Sequence, residues 1–365
     1  MSISRPSRRR ATRAGCRGIT RAPRSGKSFA GRDVKLLVTG GCGFIGSNFI
    51  RHVLATHAAD RVVNLDKLTY AGNPANLADL ANDSRYTFVQ GDVCDAQVVR
   101  DVIRGVDAVV NFAAESHVDR SLMEPDAFLR TDVFGVFALL EAVKELKIAR
   151  FLHISTDEVY GSVERGSSRE SDPVRPSNPY SASKAGGDLL ALAYWHTHRV
   201  PVLITRSSNN FGPHQYPEKV IPLFVTNALD DKPLPLYGDG RNVRDWLYVL
   251  DNCAAVDLVL RKGEAGEIYN IGGGNEVENV ALTRAILGLL GKPETFITPV
   301  ADRPGHDRRY ALDSGKVHGL GWRPAYPFAA ALEATVEWYR TQEAWWKPIK
   351  SGAFKAYYEK QYPRR

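Results

Sequence analysis

The sequence predicts an α/β fold in which a parallel sheet is wound by helices on both faces and joined to a smaller, interleaved region toward the C-terminus. Three observations predict it. Short β-branched runs alternate with longer helical stretches up to residue 206, a glycine-rich turn separates the first run from the first helix, and beyond 206 the rhythm gives way to loops rich in Pro, Gly and Asn. With 365 residues, 44 % hydrophobic and 24 % charged, the chain can bury one large core, or a large and a smaller core sharing a cleft.

Order is expected to begin near Val34. Residues 1–33 carry ten Lys or Arg and one acid and show no apolar period, so they read as a disordered basic extension. Residues 34–365 then hold 38 bases against 40 acids, so the net charge of +7 belongs to the extension and no nucleic-acid partner is indicated. The strands expected next are VKLLVT (34–39), RVVNLD (61–66), YTFVQGD (86–92), AVVNFAA (108–114), RFLHIST (150–156) and PVLITR (201–206). Largely apolar runs of this kind suit a parallel sheet covered on both faces. GEIYNIG (266–272) is expected to return to the same sheet.

Residues 126–146 and 180–198 read as helices that are apolar on more than one face. Phe134, Val136, Phe137, Leu139 and Leu140 stand in the first, and Leu189, Leu190, Leu192 and Trp195 in the second. Such helices need cover on two sides, which favours a homodimer over burial within one chain. No apolar run approaches the roughly 20 residues of a membrane span, and none follows the basic N-terminus, so a cytoplasmic protein without membrane contact is expected. Cys16, Cys42, Cys94 and Cys253 form no CxxC pair, and no His/Asp cluster has ligand spacing, so neither disulfides nor a metal site is expected.

The first strand runs into TGGCGFIG (39–46), followed by helical periodicity. Gly40, Gly43 and Gly46, with Phe44 and Ile45, form the turn that lets a pyrophosphate approach the backbone at a helix N-terminus. Asp66 ends the next strand, twenty residues beyond Gly46, where a carboxylate accepts hydrogen bonds from a ribose diol and repels a 2′-phosphate. Lys67 partly offsets that repulsion, yet the pattern favours NAD over NADP. Thr69, then Asp92 and Val93, then Ala113, Ala114 and Ser116 follow at strand ends as further cofactor contacts. The chain therefore divides into the extension at 1–33, an NAD-binding Rossmann-type domain at 34–206, and a mainly substrate-binding region at 207–365 with segments returning to the sheet.

Tyr180 and Lys184 form a YxxxK pair, and a spacing of four places both on one helix face. A nearby ammonium favours the phenolate, so the tyrosine is expected to titrate toward neutrality and to take a proton from a sugar hydroxyl. The fifth strand ends in STDEVYG (155–161), which sets Asp157 and Glu158 at the ligand-binding edge of the sheet. Adjacent acids there suit acid–base work.

These residues resemble the extended short-chain dehydrogenases and, within them, the dTDP-glucose 4,6-dehydratases. The likeness runs from about Val34 to the C-terminus through GGCGFIGS (40–47), LDKLTYAGN (65–73), NFAAESHVDRS (111–121), STDEVYG (155–161), YSASKA (180–185), SNNFGPHQYPEKVIP (208–222), YGDGRNVRDWLYV (237–249) and DRPGHDRRYAL (302–312). The resemblance implies that Tyr180 and Lys184 oxidise C4 of the glucose unit, Thr156 holds the C4 oxygen, Glu158 removes the C5 proton and Asp157 protonates the departing C6 oxygen. It implies that Ser116, Asn209, Glu218, Lys219, Tyr237, Arg244, Asn279, Arg303 and His306 grip the nucleotide diphosphate-sugar, with Thr131 and Asn210 as further cofactor contacts.

The reaction implied is NAD-dependent dehydration of dTDP-glucose to the 4-keto-6-deoxy sugar, as a step toward rhamnose or another deoxysugar. A UDP-glucose 4,6-dehydratase, a 4-epimerase and a silent NAD-binding subunit are the alternatives. An epimerase needs no acid and base for elimination, and a silent subunit would tolerate loss of the catalytic groups. The chain departs from the family in its extension, in Cys42 where alanine is usual and in Phe211 where tyrosine is usual. Cys42 reads as a small side chain that fits rather than as an oxidisable thiol. Because the family's usual opening matches from Val34, residues 1–33 are expected to be upstream reading from a misplaced start, with a basic arm or transit peptide as the alternative.

Overall fold

A computed structural model of the chain describes Phe29 and residues 33–351 and 353–362, so the expectations for the extension fall outside the described residues except at Phe29 and Asp33. The strands described are β1 (Lys35–Thr39), β2 (Arg61–Asp66), β3 (Tyr86–Gln90), β4 (Ala108–Asn111), β5 (Arg150–Thr156), β6 (Val202–Ser207), β7 (Asn209–Phe211), β8 (Leu234–Tyr237), β9 (Val243–Tyr248), β10 (Ile268–Ile271), β11 (Glu276–Glu278) and β12 (Ile297–Val300). Seven of them form one parallel sheet in the order β10-β6-β5-β4-β1-β2-β3.

Strand order reverses between β1 and β4, and a ligand crevice opens at the carboxyl edge of such a switch point. Register sets the crevice walls. Thr39 is level with Leu65 and Asn111, and Asn111 with His153, so the glycine turn, Asp66, Ala113 and the acids after β5 gather at one edge.

The sheet is apolar on both faces because alternate residues feed different cores. Leu36 and Val38 pack with Phe49, Val53, Val256 and Val259 under helices Phe44–Thr56 and Val249–Lys262. Leu37 points the other way, to Leu139, Leu140 and Ala191 on helices Val136–Leu146 and Pro179–His198. The core also takes in Phe29, which is 2 % exposed. A separate core lies beyond β7, where Phe211, Phe224, Trp246, Tyr339 and Trp346 pack among helices Val220–Leu229, Asn279–Leu290 and Phe328–Thr341.

The helix expected over 126–146 is broken in phase. Pro125–Leu129 leads into a six-residue π-helical turn, Arg130–Gly135, before Val136–Leu146 continues. That turn carries Asp132 into the interior at 1 % exposure, while Phe134 on the other side is 62 % exposed. Leu129, Phe137 and, on the neighbouring helix, Leu189 are also exposed. No helix among the described residues is long and apolar enough to cross a membrane.

Candidate active site

The glycine turn leaves no room for side chains. Gly40 has φ +68°, and a Cβ there would lie 2.7 Å from the Ala113 nitrogen, while a Cβ at Gly46 would lie 2.4 Å from the Gly40 oxygen. The first N–H groups of helix Phe44–Thr56 are thereby open to an anion. Asp66 faces them, accepting from the Cys42 and Leu68 amides at 2.8 Å each. Lys67 pairs with Asp92 at 2.7 Å, so its charge is already offset.

One cavity is lined by Gly40, Gly43, Phe44, Ile45 and Gly46, by Asp66, Lys67 and Thr69, by Asp92, Val93, Ala113, Ala114, Ser116 and Thr131, and by Tyr180 and Lys184. A cradle that any Cβ would fill, a helix N-terminus and a carboxylate at the far strand end together fit a dinucleotide. Asn210 is the exception among the residues expected there. Alternation along β7 brings its neighbour Asn209 to a second cavity, and the Asn210 amide instead donates to the Ser208 carbonyl at 2.9 Å. Cys42 is buried, its Sγ accepting from Asn64 at 3.3 Å, and burial pushes the thiol up to about 12, so it packs as a neutral side chain.

Helix Pro179–His198 starts sharply because Asn178 accepts from the Ser181 amide and Pro179 occupies the first turn. This brings Tyr180 and Lys184 onto the cavity. The Lys184 ammonium donates to the Ile154 carbonyl at 2.7 Å. The expectation that it draws the phenol toward neutrality is corrected by the structure. Burial first, then the Glu158 and Asp132 carboxylates, push Tyr180 well above its ordinary value, with a Thr156 hydrogen bond opposing them.

At the end of β5, Thr156 and Asp157 are buried and line neither cavity, whereas Glu158 lines the second. The Thr156 hydroxyl lies 3.2 Å from Asp157 Oδ1 and accepts from the Glu158 amide at 3.3 Å. Burial, then Glu158 and Asp245, push Asp157 well above its ordinary value, which favours its protonated form.

Glu158 shares the second cavity with Asn209, Glu218, Lys219, Tyr237, Arg244, Asn279, Arg303 and His306; Ser116 stays on the cofactor side. The Arg244 guanidinium donates to the Val243 and Asp307 carbonyls at 2.8 and 2.9 Å and forms no carboxylate ion pair among the described residues. Its charge is free to meet phosphate. Lys219 donates to the Ser116 carbonyl, and Arg303 pairs with Asp119 at 2.9 Å. Asn209 Oδ1, Asn279 Oδ1, Arg303 Nε and Glu158 Oε2 are buried without a partner among the described residues. Cations beside orphaned polar atoms suit an anionic, hydroxyl-rich ligand.

Sequence reasoning missed several residues here. Glu115 lines the cofactor cavity and is pushed to about 7, chiefly by burial and then by Asp132. Asp132 accepts from the Glu115 amide at 3.1 Å and from the Ser183 hydroxyl at 2.6 Å, and burial raises it to about 6. Their adjacency to Ala114 and Thr131 was the available signal. His117, Asp119 and Tyr362 line the second cavity, and for Tyr362, which comes from the C-terminal end, the sequence offers none.

Residues 37–335 match the family described as GDP-mannose 4,6 dehydratase. The chain belongs to this dehydratase family. Among its relatives, dTDP-glucose 4,6-dehydratase from Streptomyces niveus is 52 % identical over 323 residues, covering 87 % of this chain and 96 % of that one. The crystal structure of DesIV, a dTDP-glucose 4,6-dehydratase from Streptomyces venezuelae with NAD bound, is 54 % identical with a TM-score of 0.85, covering 87 % of this chain and all of that one. A UDP-glucuronic acid 4-epimerase from Bacillus cereus, 28 % identical, still reaches a TM-score of 0.80 over 84 % of this chain and 99 % of its own. Dehydratases and epimerases thus share the fold, and the groups at the sheet edge must separate them.

Proposed function

We propose that the chain dehydrates dTDP-glucose to dTDP-4-keto-6-deoxyglucose with bound NAD⁺. The observation that carries this reading is the acid pair after β5, in which a buried Asp157 adjoins Glu158, and Glu158 walls the cavity on the sugar side of Tyr180. A 4-epimerase has no use for such a pair. The dTDP-glucose dehydratases at about half identity support the nucleotide, and Asp66 with a neutralised Lys67 supports NAD over NADP.

When bound, NAD⁺ would supply the hydride acceptor for C4 and the donor for C6, and its positive charge in the cavity that Tyr180 lines would favour the phenolate that takes up a proton. Tyr180 takes the C4 hydroxyl proton, with the Lys184 ammonium fixed on the same helix face and Thr156 holding the C4 oxygen. The resulting ketone acidifies C5, whose proton passes to Glu158. Asp157 gives its proton to the departing C6 oxygen as water leaves. Arg244, Lys219, Arg303 and His306 hold the diphosphate-sugar, with Asn209, Glu218, Tyr237 and Asn279 around it.

We also infer that a second copy of the chain covers the exposed apolar residues Leu129, Phe134, Phe137 and Leu189, and that the homodimer works in the cytoplasm. Light scattering at micromolar concentration should give twice the chain mass, and Phe134→Glu should give a monomer. The reaction is tested by turnover. dTDP-glucose should lose water faster than UDP-glucose does; a product epimerised at C4 with its C6 hydroxyl retained would refute the reading.

A further inference from the structure

Gln215, Tyr216, Glu218 and Lys219 line the cofactor cavity although they belong to the segment that leads into the sugar-binding region. The segment crosses the cavity as a strap. At one end Asn48 donates to the Pro213 carbonyl at 3.0 Å and Tyr339 to the Gln215 carbonyl at 2.5 Å. At the other end Glu218 accepts from the Tyr70 hydroxyl and from Arg120 Nε, both at 2.8 Å.

Arg120 is held from both sides. Its guanidinium carbon lies 3.8 Å from the centre of the Tyr70 ring and 4.2 Å from that of Tyr357. Tyr70 sits between Thr69 and Ala71, which line the same cavity, and Tyr357 lies in helix Ala353–Gln361. One cation therefore joins the cofactor loop, the strap and the C-terminal helix. The Glu218 side chain is 1 % exposed, so without Arg120 its carboxylate would remain buried with a single hydroxyl donor among the described residues, which favours lifting of the strap.

Resting on the proposed reaction, in which a hydride leaves a sugar and must return to it, we propose that Arg120 is a positioning residue that keeps this strap closed over NAD⁺ and sets the rate at which the cofactor escapes. Arg120 lines neither cavity. Its contribution is to prevent exchange between the two hydride transfers.

The test loads the full-length protein with labelled NAD⁺ and follows its replacement by unlabelled NAD⁺, with no sugar present and with thermal unfolding measured alongside. Arg120→Met should exchange faster by on the order of 10- to 100-fold, the range that corresponds to losing a hydrogen bond to a charged group. Arg120→Lys keeps the charge toward Glu218 but loses the planar stack, and should fall between. Tyr70→Phe removes one hydroxyl and serves if Arg120→Met does not fold; it too should exchange faster. Exchange at the wild-type rate in a folded Arg120→Met, or in Tyr70→Phe in its place, overturns the proposal, as does a wild type that already exchanges freely. Product formation is not used in this measurement. A protein with slow, Arg120-dependent exchange that makes no dehydrated sugar would overturn the reaction and leave the clasp standing.

Discussion

The Asp66 carboxylate accepts the Cys42 amide at 2.8 Å, so the acid proposed to hold the ribose also anchors the glycine turn. Its other oxygen holds the Leu68 amide at the same distance. Asp66→Ala therefore removes more than a ligand contact. It should weaken NAD⁺ binding by about 1.5–3 kcal/mol, the scale of a hydrogen bond to a charged group, and also lower the unfolding temperature. Titration calorimetry and a thermal melt measure both. A wild type that prefers NADP would remove Asp66 from the ribose.

The acids after β5 should fail at different stages. Glu158→Gln leaves Tyr180 and Lys184 intact, so NADH and a 4-keto sugar that retains its C6 hydroxyl should accumulate. Asp157→Asn should slow elimination, and roughly 10²–10⁴-fold is the scale for one general acid or base. Tyr180→Phe should give no NADH absorbance. In D₂O the wild type should carry solvent deuterium at C5 and the transferred hydrogen from C4 at C6; unimpaired dehydration by Glu158→Gln sinks the assignment.

Asp132 makes stability depend on pH. Its ordinary value is 3.8 and its folded value about 6, so folding takes up a proton between those limits. The stability from that proton is complete below about 4 and lost as pH rises through 6, a loss on the order of 1–3 kcal/mol. Asp132→Asn keeps an acceptor for the Glu115 amide and has no charge to bury. Denaturant unfolding should find it more stable than wild type at pH 8, with the advantage vanishing toward pH 4; an advantage independent of pH would exclude the ionisation.

Phe29 tests the boundary of the fold. It is 2 % exposed in the core under β1, with the Arg150 guanidinium 5.5 Å from its ring centre. Phe29→Ala should cost about 3 kcal/mol, as large core truncations do. An unchanged unfolding curve would mean that the folded unit needs nothing before Asp33.

The inner strands of the main sheet were legible because both faces are buried there, so each announces itself as an apolar run, whereas the edge strand β3 is exposed or half-buried throughout. The residues at their carboxyl ends were legible for a related reason, since the switch point concentrates ligand groups at one edge. Asp132 was not, because helical periodicity over 126–146 conceals a wide turn. Arg120 and Glu218 meet across 98 residues of chain, a separation that no local pattern encodes. For the tyrosine, YxxxK displays the ammonium but shows neither the burial of the phenol nor the charges of Glu158 and Asp132, all of which push it upward.

The wide turn at Arg130–Gly135 acts as a phase shifter. A regular helix repeats every 3.6 residues, so the residues it offers to one side dictate those it offers to the other along its whole length. One swollen turn uncouples the two ends. Upstream, Phe128 packs against the Tyr180 ring, while downstream Leu139 and Leu140 address the sheet and Phe137 points out. Winding the same six residues at ordinary pitch would swing one end by about 100° against the other, whereas deleting one of them would keep both ends in phase. Either Asp132 would leave the interior or the outer apolar row would rotate into it, so tightening this turn without shortening it would damage the nucleotide pocket and the outward face together, where point substitutions damage them one at a time.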